Sequence, residues 1–144
     1  MRSTPPFIAQ ERPDSCAVAC LRMLLAHQGE DISEDILVQA TAMPPGGLDP
    51  EELRAVALRY GLAAEVRQAD LAAIRDLLAE QRFPIVYLYR QPIDRIAMTH
   101  AVIPVRIGRV FVTCLDPLRG MRRISVRKFD QARRLVGNWI LAFN

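Results

Sequence analysis

The sequence contains few of the residues that bind metal ions or cross-link a chain. Its 144 residues include 3 cysteines and 2 histidines, and no two cysteines form a C-x-x-C pair. An odd number of cysteines argues against a disulfide framework, and so few histidines argue against a closed zinc site. We therefore expect reduced thiols, and neither a metal ion nor another cofactor.

Long apolar runs are missing as well. The first residues, MRSTPPFIAQ, lack the continuous apolar segment of a signal peptide. No other run approaches the roughly 20 apolar residues that a membrane-spanning helix needs. We therefore expect a cytoplasmic protein with no membrane segment. The apolar fraction of 51% and the charged fraction of 24% predict one ordinary folded domain over residues 1–144.

Lysine is nearly absent, since Lys128 is the only one, and the net charge of +3 comes from arginines. Six arginines fall between residues 119 and 134, but they lack the interleaved aromatic residues of a surface that binds single strands. The composition therefore predicts no nucleic-acid partner.

Capping residues, prolines and glycines divide the chain into a helical first half and a strand-rich second half. Helices are predicted over residues 15–28, 34–42, 50–60, 71–80 and 128–135. Strands are predicted over residues 62–66, 85–89, 99–107, 110–115, 122–126 and 138–143, and residues 90–98 are predicted to form a polar loop. This order predicts an α+β fold in which N-terminal helices pack on a C-terminal, mostly antiparallel sheet.

Cys16 is the candidate nucleophile. It begins an apolar run with helical spacing, CAVACLRMLL, and either Asp14 or Ser15 can serve as the N-cap. In a first helical turn, the free N–H groups and the positive end of the helix dipole stabilise a thiolate. Cysteine is also a common core residue, and we interpret Cys20 and Cys114 in that way.

His100 is the candidate base, and Asp116 is its candidate partner. His100 opens one strand of a predicted hairpin whose two-residue turn is Gly108 and Arg109, and Asp116 ends the other strand. The leading glycine predicts a type II′ turn. Counting from that turn places the two residues opposite or nearly opposite each other. Asp116 would then orient the imidazole toward the thiol, as nucleophilic catalysis requires.

Gln10 completes a recognisable pattern. It precedes Cys16 with five residues between them, His100 opens an apolar strand, and Asp116 begins an Asp-Pro turn with a nearby glycine, DPLRG. In these features, and in the segments GLDPEELRAVALRYGLAAEV and FPIVYLY, the sequence resembles the bacteriocin-processing, double-glycine cysteine peptidases of the C39 type, which have a papain-like fold.

The resemblance implies a papain-like fold and a thiol peptidase or amidase. Cys16 would form an acyl-enzyme, His100 would be the general base oriented by Asp116, and Gln10 would form an oxyanion hole with the backbone N–H of Cys16. The substrate would be a peptide cleaved after a double-glycine-type leader, and the partner a separate transporter or other protein. Two alternatives stay open: a non-catalytic papain-like module that binds peptides, and an acyltransferase or cyclising enzyme that uses the same thioester.

The sequence departs from the family pattern at three positions. Ser15 replaces the acidic residue that usually precedes the cysteine, Ala17 replaces a glycine, and Ala101 replaces the bulky residue that commonly follows the histidine. We expect the methyl group of Ala17 to narrow the approach to the thiolate where the backbone comes close to the substrate.

Overall fold

The structure is a computed structural model that describes residues 3–41 and 47–144. The end predicted for the second helix, residue 42, lies outside the described residues. Along the described part of the chain the elements are α1 (Cys16–His27), α2 (Glu34–Gln39), α3 (Pro50–Arg59), β1 (Ala64–Gln68), α4 (Leu71–Ala79), β2 (Ile85–Tyr89), α5 (Gln91–Asp94), β3 (Thr99–Ile107), β4 (Phe111–Asp116), β5 (Gly120–Ser125), α6 (Val126–Arg134) and β6 (Trp139–Phe143).

Side-chain caps begin most of these helices. Asp49 and Glu52 form a complete capping box at α3, and the side chains of Ser33, Asp70 and Ser125 each accept a backbone N–H at the start of α2, α4 and α6. Because each cap satisfies a donor that the helix itself leaves free, it fixes the first residue of the helix. The predicted helix starts are therefore confirmed to within about two residues.

The six strands form one antiparallel sheet in the order β1-β6-β2-β3-β4-β5. Successive side chains along β3 point to opposite faces, so that Ala101 and Ile103 join the core beneath α1, α2 and α3, and Val102 joins a second core beneath α4 and α6. The α+β prediction is confirmed, and the later helices cover the second face of the sheet.

Three local predictions were wrong. Residues 90–98 contain the short helix α5, which ends at Asp94 and is followed by a C-cap, Arg95, with a left-handed backbone (φ 59°). β1 begins at Ala64 instead of residue 62. The hairpin between β3 and β4 has a three-residue connection, and Gly108 does not have the positive φ that a type II′ turn requires.

No helix in residues 3–41 or 47–144 is long and apolar enough to cross a membrane.

Candidate active site

Cys16 is the first residue of α1, as predicted, and it is half-buried, whereas Cys20 and Cys114 are fully buried. Burial, with nearby negative charges, raises the pKa of Cys20 well above its ordinary value and that of Cys114 to about 12. These two thiols therefore stay protonated at neutral pH. Only Cys16 combines access to solvent with a helix N-terminus.

Ser15 occupies the N-cap position of α1, but its side chain makes no cap hydrogen bond. Its hydroxyl oxygen lies 3.0 Å from Oε1 of Glu34 instead. The Ser15 side chain therefore leaves the backbone N–H groups of the first turn, beside Cys16, uncapped. Free donors at this place are suited to binding negative charge on a reacting group.

His100 and Asp116 are joined by a buried hydrogen bond. Nε2 of His100 lies 2.7 Å from Oδ1 of Asp116, and each side chain is 3% exposed. Cys16 lies close enough to the ring to contribute to the raised pKa of His100, and the other ring nitrogen, Nδ1, is not engaged by Asp116. The three residues singled out from the sequence are thus brought together.

A β-bulge places His100 and Asp116 on the same side of the strand pair. Ile107 is opposite Val112, but Ile103 is opposite Leu115, because one extra residue is inserted in β3 between Pro104 and Arg106. In this register the position opposite Asp116 is residue 102, so His100 is a diagonal neighbour on the same face. A one-residue change of register would turn one of the two side chains to the other face.

Charges set the protonation of this pair. Burial lowers the pKa of His100, but it is outweighed by the hydrogen bond to Asp116 and by the neighbouring Cys16 and Asp116, which raise that pKa from 6.5 to about 9. Burial raises the pKa of Asp116, but the hydrogen bond and charge of His100, the Leu118 N–H and Arg122 together lower it below its ordinary value. At neutral pH the pair is therefore an imidazolium with a carboxylate.

Arg122 was missed in the sequence. Its Nη1 lies 3.2 Å from Oδ2 of Asp116, and its Nη2 lies 3.0 Å from Oδ1 of Asp94, which also pairs with Arg90 at 3.1 Å. The register of β4 and β5 pairs Cys114 with Arg122. That register places Arg122 on the same face as Asp116.

Gln10 lies next to the turn that follows Asp116, and its backbone N–H donates to the Pro117 carbonyl at 3.1 Å. Its side-chain Nε2 donates to the carbonyl of Arg12 at 2.7 Å and to that of Pro13 at 3.2 Å. Its Oε1 is buried and has no hydrogen-bond partner among the described residues. The amide is therefore held by the loop that leads into α1.

Ala17 does not line an opening beside the thiol. It is 2% exposed, and its side chain belongs to the core beneath α1. The expectation that its methyl group narrows the approach to Cys16 was therefore wrong for this fold, because the first turn directs that side chain inward.

An open groove of about 270 Å³ begins beside Thr99, the residue before His100. One wall of the groove is the segment that leads into α3. In this segment Gly47 has a φ of +89°, and it lies so close to Asp14 that an added Cβ would be 2.6 Å from the Asp14 carbonyl oxygen. The wall is tied to the sheet by the Tyr87 hydroxyl, which donates to the Leu48 carbonyl at 3.1 Å. The groove is lined by Gly47, Leu48, Asp49, Pro50, Tyr87, Thr99, Val136 and Trp139.

Within the described ranges, no three histidine, cysteine, aspartate or glutamate residues are grouped so that they could hold a metal ion.

The sequence profile of the peptidase C39 family matches residues 4–133. A curated relative, the lacticin-481/lactococcin-DR transport/processing ATP-binding protein of Lactococcus lactis subsp. lactis, is 22% identical over 124 residues. The match covers 85% of the chain but only 17% of the length of that relative.

Three solved structures share the fold. A double-glycine motif protease from an AMS/PCAT transporter, in complex with a leader peptide, is 19% identical with a TM-score of 0.79, covering 99% of this chain and 92% of that one. A C39-like peptidase from Bacillus anthracis is 16% identical with a TM-score of 0.80, covering 96% and 94%. The peptidase domain of Streptococcus ComA, a bifunctional ABC transporter, is 19% identical with a TM-score of 0.77, covering 94% and 96%.

Proposed function

The chain belongs to the peptidase C39 family, and we propose that it is a cysteine peptidase whose catalysis is carried by Cys16, His100, Asp116 and Gln10. The observation that supports this most is the buried 2.7 Å hydrogen bond between His100 and Asp116, beside a thiol at the start of a helix. An imidazole held by a carboxylate beside a thiol is the arrangement that nucleophilic catalysis by cysteine requires.

The reaction would proceed through a thioester. The Cys16 thiolate attacks the carbonyl carbon of the scissile peptide bond, and the carbonyl oxygen takes the displaced electron pair. His100 donates its Nδ1 proton to the peptide nitrogen as the C–N bond breaks, so the amine leaves neutral and an acyl-enzyme remains. A water molecule then gives a proton back to His100 and attacks the thioester, which releases the acid and the thiolate.

Gln10 and the backbone N–H of Cys16 would stabilise the negative oxygen of each tetrahedral intermediate. The Nε2 group of Gln10 is occupied by the carbonyls of Arg12 and Pro13, so we propose that one of these bonds is exchanged for the bond to the oxyanion. A charged acceptor forms a stronger hydrogen bond than a neutral carbonyl. Loss of one such donor typically costs on the order of 3 kcal/mol in the transition state.

We propose a peptide substrate whose leader ends in two small residues. The relative solved with a leader peptide supports this substrate class, and the groove beside Thr99 offers room for the residues before the scissile bond. Because curated and structural relatives are parts of transporters, we also propose that a transporter protein is the partner and that the peptidase acts in the cytoplasm.

Intact mass spectrometry after treatment with excess iodoacetamide tests the nucleophile. We expect one fast-reacting thiol in the wild-type protein and none in Cys16→Ala, because Cys20 and Cys114 are buried and protonated. A fast thiol that persists in Cys16→Ala, or three thiols that react equally slowly, would remove the basis of the proposal.

Incubation with leader peptides separates cleavage from binding. Wild-type protein should cut after the second small residue, and His100→Ala should bind the same peptide in a titration without cutting it. Peptide that wild-type protein binds but leaves intact would instead indicate a binding module. A product joined to an added amine, in place of the free acid, would indicate acyl transfer.

A further inference from the structure

Glu34 is a fully buried carboxylate that the catalytic scheme above does not use. It is the first residue of α2 and has no exposed surface. Burying a charge is costly unless its oxygens are hydrogen-bonded, and an apolar residue would fill the same space more cheaply. The groups that donate hydrogen bonds to Glu34 therefore indicate the role of its charge.

All of its donors belong to the loop from Gln10 to Ser15. The backbone N–H of Glu11 and the hydroxyl of Ser15 each lie 3.0 Å from Oε1, and the Arg12 guanidinium lies 2.9 Å from Oε2. The Ser15 hydroxyl is also 3.1 Å from the Arg12 carbonyl but has one proton to give. The carboxylate is the stronger acceptor because it is charged.

The same network reaches the side chain of Gln10. The Ser15 oxygen accepts the backbone N–H of Arg12 at 3.1 Å, so Arg12 is fixed to Glu34 both through its backbone and through its guanidinium. The carbonyl of Arg12 in turn accepts Nε2 of Gln10 at 2.7 Å. The buried Glu34 carboxylate thus fixes the position of the Arg12 peptide group, and that group holds the Gln10 amide.

We propose that Glu34 is a positioning residue, which holds the Gln10 amide and the first turn of α1 in the geometry that receives the oxyanion. This inference rests on the proposed function of Gln10. Catalytic donors must be held within a fraction of an ångström, and small displacements reduce kcat strongly. The hydrogen bonds of Glu34 go to Glu11, Arg12 and Ser15, not to the side chains of Cys16 or His100, so Glu34 should affect the oxyanion more than the nucleophile.

The test compares Glu34→Gln with Asp35→Asn. Glutamine keeps the size of Glu34 but cannot accept at both ends of its side chain, so one arm of the network is lost. Asp35 is the matched control, since it follows Glu34 in α2, is exposed, and also pairs with Arg12 but not with the loop backbone. For Glu34→Gln we expect kcat on a cleaved peptide to fall by roughly tenfold to a hundredfold with KM little changed.

Two further measurements separate positioning from folding. The rate of Cys16 alkylation by iodoacetamide should stay within about twofold of wild type, because alkylation needs the thiolate but not the oxyanion hole. Hydrogen exchange at the Glu11 and Arg12 amides should become faster in Glu34→Gln and stay unchanged in Asp35→Asn, since both amides depend on this network.

The inference is overturned if Glu34→Gln cleaves within about twofold of wild type, or if alkylation falls as much as cleavage does. Unchanged exchange at Glu11 and Arg12 would overturn it as well. If wild-type protein cleaves no peptide, the proposed function fails, and the exchange measurement alone decides whether Glu34 orders the loop.

Discussion

His100 and Asp116 hold each other in opposite charge states through a 2.7 Å hydrogen bond that is closed to solvent. Against the lowering effect of burial, Asp116 and Cys16 together raise the pKa of the imidazole to about 9, and the imidazole helps to lower the pKa of the carboxylate. The pair is therefore ionised across the whole neutral range. Removing the charge of either residue should be visible in the titration of the other.

Asp116→Asn should lower the pKa of His100. Asparagine can still orient the ring, but it carries no negative charge. Burial lowers the pKa of His100, and without the Asp116 charge less remains to oppose it. If cleavage requires the imidazolium, the alkaline limb of the kcat/KM profile should move to lower pH by about one unit or more. Rates measured from pH 5 to 10 check this.

The exposed Asp76 on α4 provides the control, and Asp76→Asn should keep the wild-type profile. Imidazole resonances followed by NMR give an independent reading, with His27 as an internal reference at the other end of α1. An alkaline limb that stays in place in Asp116→Asn would show that Asp116 does not control the charge of His100.

Stability should fall as the pH rises above neutrality. Because the pKa of His100 is raised from 6.5 to about 9 on folding, its contribution is fully present below pH 6.5 and is lost as the pH rises through 9. For this buried group the change is roughly 2–3 kcal/mol. Urea unfolding at pH 6 and pH 9.5 should show the loss in wild type and a much smaller one in His100→Ala. Equal losses in the two proteins would assign the pH dependence to other groups.

The sequence was sufficient for the start of α1 but not for the geometry of the hairpin. Cys16 was placed in the first turn because caps and helical spacing are local signals. Counting from a two-residue turn predicted that His100 and Asp116 lie near each other, but that register would have put them on opposite faces. The bulge next to Pro104 corrects this, whereas the longer connection shifts the register by two residues and leaves the faces unchanged. Proline inside a strand is a known sign of a bulge, so part of the information was present.

The supporting residues were harder to predict. Arg122 bridges Asp116 and Asp94, which lie on different elements, and Glu34 reaches the loop before α1 from another helix. These contacts depend on how helices and strands pack together. No local pattern distinguishes Glu34 from an ordinary acidic residue in the first turn of a helix.

Arg122→Met should destabilise the protein and reduce cleavage at acid pH. Arg122 is one of the groups that lower the pKa of Asp116, so its loss should raise that pKa and move the acid limb of kcat/KM to higher pH. Asp94 also loses a partner, and a lost hydrogen bond to a buried charge typically costs about 1–3 kcal/mol. Activity profiles and denaturant unfolding measure the two effects.

The neighbouring Arg123 offers a matched control, because its guanidinium stacks over the Phe111 ring 4.6 Å away instead of joining the Asp94 and Asp116 network. Arg123→Met should keep the wild-type acid limb. If Arg122→Met also keeps it, Arg122 has only a structural role.

Gln10→Ala should separate an oxyanion donor from a residue that merely closes a loop. The substitution removes the two hydrogen bonds to the Arg12 and Pro13 carbonyls, so a small loss of stability of about 1 kcal/mol is expected in either case. An oxyanion donor acts mainly in the transition state, and its loss should lower kcat by roughly a hundredfold or more with little change in KM.

Alkylation of Cys16 decides between the two roles of Gln10, because it depends on the thiolate and its base but not on the oxyanion. Alkylation should continue at nearly the wild-type rate in Gln10→Ala. The control is Gln28→Ala, at the exposed end of α1, which should leave both cleavage and alkylation unchanged. Cleavage by Gln10→Ala within about threefold of wild type would show that Gln10 only closes the loop. Catalysis would then rest on Cys16, His100 and Asp116, with the first-turn N–H groups of α1 as the remaining donors to the oxyanion.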